Sequence, residues 1–148
     1  MTQLEVRPLS RAVGAEILGI NLLNPVSDAQ IAEIRKIWLQ HSVVFFREQP
    51  LEPGAFQAFA QRFGEIIEYP FVKGLPDFPL IVPVLKLPHE KHKFGGVWHT
   101  DTTYLQEPPM ATMLIARELP PVGGDTLFAS NYAAFEGLSP ALQDTLRT

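Results

Sequence analysis

The sequence predicts an α+β domain in which helices at both ends enclose a run of short strands. Three observations carry that expectation. Capped amphipathic stretches lie near the start and at the end, β-branched and aromatic runs too short for helices lie between them, and Pro and Gly act as punctuation. The 14 prolines and 10 glycines fall at boundaries such as Glu48-Gln49-Pro50, Leu119-Pro120-Pro121 and Gly123-Gly124 rather than in one tract. No internal repeat, low-complexity segment or domain boundary stands out.

Ser27 followed by Gln30 has the layout of a capping box, in which each side chain satisfies the other's free backbone N–H. Ile31, Ile34, Ile37 and Trp38 then recur at helical spacing, so residues 28–41 read as an amphipathic helix. Val43-Val44-Phe45-Phe46 reads as a buried strand. Pro53 near a first helical position, with Phe56, Phe59, Ala60 and Phe63 along one side, predicts a second helix over 53–63 that Gly64 ends. Residues 79–87 read as a strand interrupted at Pro83, and 88–96 as a polar, basic loop. Residues 97–103, 110–117 and 126–129 are further strand candidates, with antiparallel pairing expected. Asn131 is the expected cap of a helix beginning at Tyr132, and Ser139-Pro140 opens another.

Composition narrows the function classes. Hydrophobic residues make up 46% and charged residues 19%, as in an ordinary globular chain. A net charge of −4 gives no clustered basic surface for a nucleic-acid backbone, so no nucleic-acid partner is expected. No apolar run reaches the roughly 18 residues a membrane helix needs, and Met1 to Arg11 lack the apolar centre of a signal peptide. Cysteine is absent, which excludes disulfides, zinc–thiolate sites and a cysteine nucleophile. A cytoplasmic location is the default expectation.

The chemistry concentrates in Gly95-Gly96-Val97-Trp98-His99-Thr100-Asp101-Thr102-Thr103-Tyr104. In an extended segment residues two apart face the same side, with Cα atoms about 6.5–7 Å apart. An imidazole nitrogen of His99 and a carboxylate oxygen of Asp101 can then converge on one metal. Two such ligands plus a distant histidine form the facial triad of non-haem Fe(II) oxygenases. A closed structural zinc site would need four donors, and a cupin-type isomerase would want more His or Glu near His99 than this sequence offers. His41 reads as a helix C-terminal or satisfied core residue, and His89 and His92 as solvated members of a Lys-rich loop flanking the site. Taken alone, His-x-Asp is a common pattern.

Its surroundings are not common. Trp98-His99-Thr100-Asp101 with Thr103-Tyr104, Glu107-Pro108-Pro109, Ala116-Arg117-Glu118-Leu119-Pro120 and Gly123-Gly124-Asp125-Thr126-Leu127 follow in order. Upstream lie Gly14-Ala15-Glu16-Ile17, His41-Ser42-Val43-Val44-Phe45-Phe46-Arg47 and Ala60-Gln61-Arg62-Phe63-Gly64-Glu65; downstream lies Ala133-Ala134-Phe135-Glu136-Gly137-Leu138-Ser139. This series resembles the taurine dioxygenase and 2,4-dichlorophenoxyacetate dioxygenase family over nearly the whole chain.

The resemblance implies part of a double-stranded β-helix (jelly roll) with flanking helices, residues 1–148 being the N-terminal portion of one oxygenase domain. It implies Fe(II) held by His99 and Asp101, and 2-oxoglutarate as cosubstrate with its distal carboxylate hydrogen-bonded by Thr126. Without the resemblance Thr126 reads as a β-former after a glycine turn. The implied reaction consumes O2 and 2-oxoglutarate, hydroxylates a small-molecule substrate and releases succinate and CO2. Where taurine-specific members carry Asn and Asp for the substrate amine, this chain has Lys93-Phe94-Gly95-Gly96-Val97, which suits an anionic or apolar substrate better than taurine. The family's third ligand, a distal His, and its 2-oxoglutarate-binding Arg come from further downstream than Thr148. The sequence is therefore expected to be a fragment or truncated product that binds iron weakly alone. The competing expectation is an inactive remnant with a packing or partner-binding role, whose exposed apolar surface drives self-association into a homo-oligomer.

Overall fold

The computed structural model describes residues 4–87, 89–91 and 95–147. Two compact units form, one from the segment up to Pro50 together with the stretch from Leu119 onward, the other from Leu51–Glu118. Nothing in the composition marks this division.

In the first unit β1 (Glu5–Pro8), β2 (Ala15–Leu18) and β3 (Val44–Phe45) form one sheet in that order. β1 runs antiparallel to β2, with Val6 opposite Ile17, and β3 runs parallel to β2, with Val44 opposite Ala15. The sheet is thus mixed, where antiparallel pairing was expected. Pro8 cannot donate to a ladder, and it sits on an edge strand, where that loss is tolerated. Gly14 at φ 93° turns the chain into β2.

Helix α1 (Asp28–His41) begins as its sequence predicts: the Ser27 hydroxyl accepts from the Gln30 N–H while the Gln30 side chain accepts from the Ser27 N–H at 2.9 Å. Ile31, Ile34 and Ile37 form its buried face, and the helix packs on β2 and β3. The Trp38 indole donates to the Ser42 carbonyl at 3.0 Å, fastening the end of the helix, where Ser42 adopts φ 64°. Burying each isoleucine contributes about 1.5–3 kcal/mol. Helices α3 (Asn131–Glu136) and α4 (Pro140–Leu146) close this unit. Ser130, not Asn131, caps α3, its hydroxyl accepting from the Ala133 N–H, and Ser139 caps α4 as expected. The Gln143 amide, donating to the carbonyls of Phe135 and Leu138 at 3.1 Å each, ties α4 to the end of α3.

The second unit holds α2 (Pro53–Gln61), which has Pro at its start and Phe59 buried. Phe59 packs edge-on against Phe63 at 5.4 Å. The loop after Gly74 closes on itself, the Leu75 N–H donating to the Ile81 carbonyl at 2.9 Å. No described helix is long and apolar enough to cross a membrane.

The remaining strand expectations are not met. Among the described residues, 79–87, 97–103, 110–117 and 126–129 form no strand. Their composition is strand-like, but a strand exists only where a neighbour accepts its backbone hydrogen bonds and covers one face. Here Leu85, Leu114 and Leu127 are 69%, 66% and 70% exposed, so neither condition holds.

Ile34 is the most deeply buried large side chain, whereas Leu39 on the same helix is 63% exposed. Ile34→Ala is expected to destabilise the first unit by about 2–5 kcal/mol, and Leu39→Ala to stay within about 0.5 kcal/mol of the parent. Urea titration followed by circular dichroism checks the contrast; equal losses would refute this core.

Candidate metal centre

Residues 95–105 lie in the second unit as a sequence of bends rather than a strand. Gly95 takes φ 67°, a conformation glycine adopts without strain, and a Cβ there would lie at ordinary contact distance, 3.4 Å, from Cε1 of His99. The His99 Nδ1 lies 2.7 Å from the Val97 carbonyl oxygen. A carbonyl only accepts, so this bond requires the proton on Nδ1 and directs Nε2 to the other side of the ring. There Nε2 meets Oδ1 of Asp101 at 3.1 Å. The structure therefore brings His99 and Asp101 together, though by a bend and not by the period of a strand.

Both side chains are about half exposed, at 49% and 50%. The His99 imidazole is held above its ordinary value of 6.5, first by the bond to Val97; desolvation, the next effect, opposes it, and the charge and hydrogen bond of Asp101 add to the rise. The pair offers one imidazole nitrogen and one carboxylate, a donor set that fits a divalent first-row metal. Histidine ligands commonly donate their second N–H to a carbonyl, as His99 does to Val97. Among the described residues no group of three or more His, Asp or Glu side chains could hold a metal, so the fit extends to two donors.

The sequence did not single out Thr102. This β-branched residue takes φ 50°, a sterically costly conformation, and its hydroxyl is buried without a hydrogen-bond partner among the described residues. The Leu105 N–H donates to the Thr102 carbonyl at 3.1 Å, closing a turn just after Asp101. Beyond it an aromatic row forms: Tyr69 stands edge-on to Phe71 at 5.7 Å, and Phe71 lies 6.1 Å from Tyr104. The Tyr104 phenol is held above its ordinary value, first by a hydrogen bond with the Tyr69 side chain, then by burial and by the charges of Tyr69 and Asp101. Tyr104 follows the motif directly, but nothing in the sequence connects Tyr69 or Phe71 to it.

Thr126 is exposed in the first unit, shortly after Gly123 and Gly124, whose φ of 79° and 78° bear out their reading as turn formers. Phe128, two residues on, packs edge-on against Phe45 of β3 at 6.0 Å. His41 ends α1, its carbonyl accepting from the Gly14 N–H at 2.9 Å. His89 is exposed, and Trp98, directly before His99, is 69% exposed. His92, Lys93 and Phe94 lie outside the described residues.

The raised value of His99 has a defined sign. Its protonated form is favoured in the folded loop, so the contribution to stability is fully present below the unfolded value and fades as pH rises through the folded one. An imidazole NMR titration should place the His99 midpoint above 6.5. Asp101→Asn should lower that midpoint only in part, because the bond to Val97, the larger cause, survives. A midpoint at or below 6.5 in the parent would refute this local geometry.

Comparison with known proteins identifies the family. The family model for the taurine catabolism dioxygenase TauD, TfdA family matches residues 5–148. An alkylsulfatase of Acinetobacter baylyi is 32% identical over 95% of this chain and 44% of its own length. The alpha-ketoglutarate-dependent sulfate ester dioxygenase of Pseudomonas putida is 31% identical over 96% of this chain and 46% of its own. A crystal structure of a taurine dioxygenase from Burkholderia xenovorans superposes with a TM-score of 0.81 at 35% identity, covering 97% of this chain and 50% of that one. The chain spans about half the length of the relatives it matches. On these matches the chain belongs to the TauD/TfdA family of alpha-ketoglutarate-dependent dioxygenases.

Proposed function

We propose that this chain supplies His99 and Asp101 as two protein ligands of an Fe(II) centre, and Thr126 as a hydrogen-bond donor to 2-oxoglutarate, in a dioxygenase that hydroxylates a small anionic organic substrate. The carrying observation is the 3.1 Å approach of His99 Nε2 to Asp101 Oδ1, with Nδ1 committed to a backbone carbonyl, in a chain of this family. The metal, when bound, supplies O2 activation coupled to conversion of 2-oxoglutarate to succinate and CO2.

The chain's own residues hold and orient. The Val97 carbonyl keeps the His99 tautomer that leaves Nε2 free for a cation once its proton departs. Asp101 supplies the anionic donor that offsets the cation's charge. A hydroxyl at Thr126 suits a carboxylate, because hydrogen bonds to charged acceptors are the strong ones. The relatives' sulfate-ester and sulfonate chemistry supports a substrate with a fixed anionic group. The family's third ligand and arginine fall to polypeptide equivalent to the relatives' uncovered half. That half would also pair the unladdered apolar stretches at 79–87 and 110–117 into a double-stranded β-helix and cover Leu85 and Leu114.

Anaerobic titration with Fe(II) and 2-oxoglutarate, following the metal-to-ligand absorption band, tests the assignment. Residues 1–148 alone should give a weak complex, since a missing ligand costs several kcal/mol of metal affinity by the scale of structural sites, roughly. His99→Ala and Asp101→Ala should each abolish it. With the uncovered half supplied, Thr126→Ala should weaken 2-oxoglutarate by roughly ten- to a hundredfold, the worth of a charged hydrogen bond. An unchanged affinity would remove Thr126 from the site, and full succinate production from residues 1–148 alone would show the two-ligand account to be wrong.

A further inference from the structure

Thr102 combines two unfavourable features at the position next to Asp101. Among the described residues three besides glycine take a positive φ: Ser42 where α1 ends, Glu48 and Thr102. The first two are exposed and unbranched at Cβ, whereas Thr102 is β-branched, 9% exposed and at φ 50°. An L side chain in that region is disfavoured by about five- to thirtyfold in population, and branching at Cβ adds to the penalty. The Thr102 hydroxyl is also buried without a hydrogen-bond partner among the described residues, whereas in an opened loop water would solvate it. Two short-range bonds oppose this. The Thr100 and Thr103 hydroxyls meet at 2.9 Å, spanning Asp101 and Thr102, and the Leu105 N–H donates to the Thr102 carbonyl at 3.1 Å. The hydroxyl pair is exposed, so water competes for it.

We propose that Thr102 is a positioning residue that keeps this loop under strain, so that it alternates between the bent form, with Asp101 on His99, and a relaxed form in which Thr102 has negative φ and the carboxylate has left His99. The inference rests on the proposed metal pair and adds a conformational control to it. A change of φ at residue 102 redirects the chain directly after Asp101, and the Thr100–Thr103 contact that closes the bend opens with it. Strain of this kind persists only where neighbours hold it, and it recurs in ligand clamps and switch segments. A cation that takes both donors binds only the bent form, so its affinity is reduced by the fraction of loops that are relaxed. Relieving the strain therefore tightens binding, and cutting the Thr100–Thr103 clamp loosens it. A Thr102 present for packing alone gives the opposite sign, because removing its side chain loosens the loop.

Two readouts on the 148-residue chain separate the parts. Hydrogen exchange of the Leu105 amide, without metal, reads how often the bend opens. Mn(II) binding, followed by broadening of the His99 ring resonances, reads the ligand pair. In Thr102→Gly, which accepts positive φ freely, the Leu105 amide should exchange about three- to tenfold more slowly than in the parent. The same variant should bind Mn(II) about two- to threefold more tightly, a gain that levels once the bent form dominates. Thr102→Asn, whose side chain also tolerates the left-handed region, should move both readouts in the same directions. Thr100→Val, at an exposed position where folding is not at stake, should speed the exchange and weaken Mn(II) by about two- to threefold. Faster exchange in Thr102→Gly and Thr102→Asn overturns the proposal, as does slower exchange with unchanged Mn(II) affinity. Absence of Mn(II) binding in the parent and all three variants overturns the metal pair, and slower exchange then still upholds the strained turn.

Discussion

Strand β2 is paired on both edges, and the order of the first unit follows from that pairing. β1 supplies one ladder, and the other side is continued by Gly14 and Ala15, whose N–H groups donate to the carbonyls of His41 and Val43 at 2.9 and 3.0 Å. Ala15, Glu16 and Ile17 are all buried as a result. A carboxylate so deeply buried needs partners, because an unpaired charge in the interior costs several kcal/mol, roughly. Arg7 from β1 and Arg47 just beyond β3 both pair with Glu16, one from each flanking strand. The charge thereby ties the three strands together and disfavours any other register. Gln49 adds a second tie: its side chain accepts from the Leu22 N–H at 2.8 Å and donates to the Arg47 carbonyl at 2.9 Å.

Among its described residues the second unit has no strand of that kind, and its order is correspondingly local. The 74–81 loop is closed by its own backbone bonds, and the 95–105 loop by His99 to Val97, Thr100 to Thr103 and Leu105 to Thr102. Short-range bonds of this type hold geometry without contributing a cooperative core, and such segments open at low free energy. The proposed ligand pair, built on such a loop, can have its two donors aligned before a cation arrives, yet depends on surrounding packing for rigidity. The positive φ of Thr102 fits the same picture: a strained residue beside Asp101 persists only where its neighbours hold it.

How much was legible in the sequence divides along the same line. Ser27 with Gln30, Pro53 and Ser139-Pro140 announce α1, α2 and α4 because caps and first-turn prolines act within four residues. α3 was legible too, but Ser130 and Asn131 are both good caps, and only the backbone angles choose between them. β1 and β2 were not read as strands, since Glu-Val-Arg-Pro and Ala-Glu-Ile-Leu have little strand character of their own and owe it to each other. The reverse happened at 79–87 and 110–117, where apolar residues suggested strands whose partners are not among the described residues. The His99–Asp101 pair was legible because it is local. The link from Tyr69 and Phe71 to Tyr104 spans more than thirty residues of sequence and carried no signal before the fold was known.

On the proposed Fe(II) assignment, the bond from His99 to Val97 has opposing consequences for the metal. By holding the proton on Nδ1 it makes Nε2 a more basic, and so a better, donor. The same bond, with Asp101 alongside, raises the value at which Nε2 gives up its own proton. Cation and proton compete for that one lone pair, and Asp101 attracts both. Below the raised value the proton holds the site and the pair is a simple ion pair. Above it the gain in basicity is available without competition, so affinity rises with pH until His99 is fully neutral and then levels. A third donor would shift this balance, because it binds the cation without strengthening the His99–Asp101 proton contact. On that assignment the two donors of this chain hold the cation only in competition with protons, and a further donor is what would secure it.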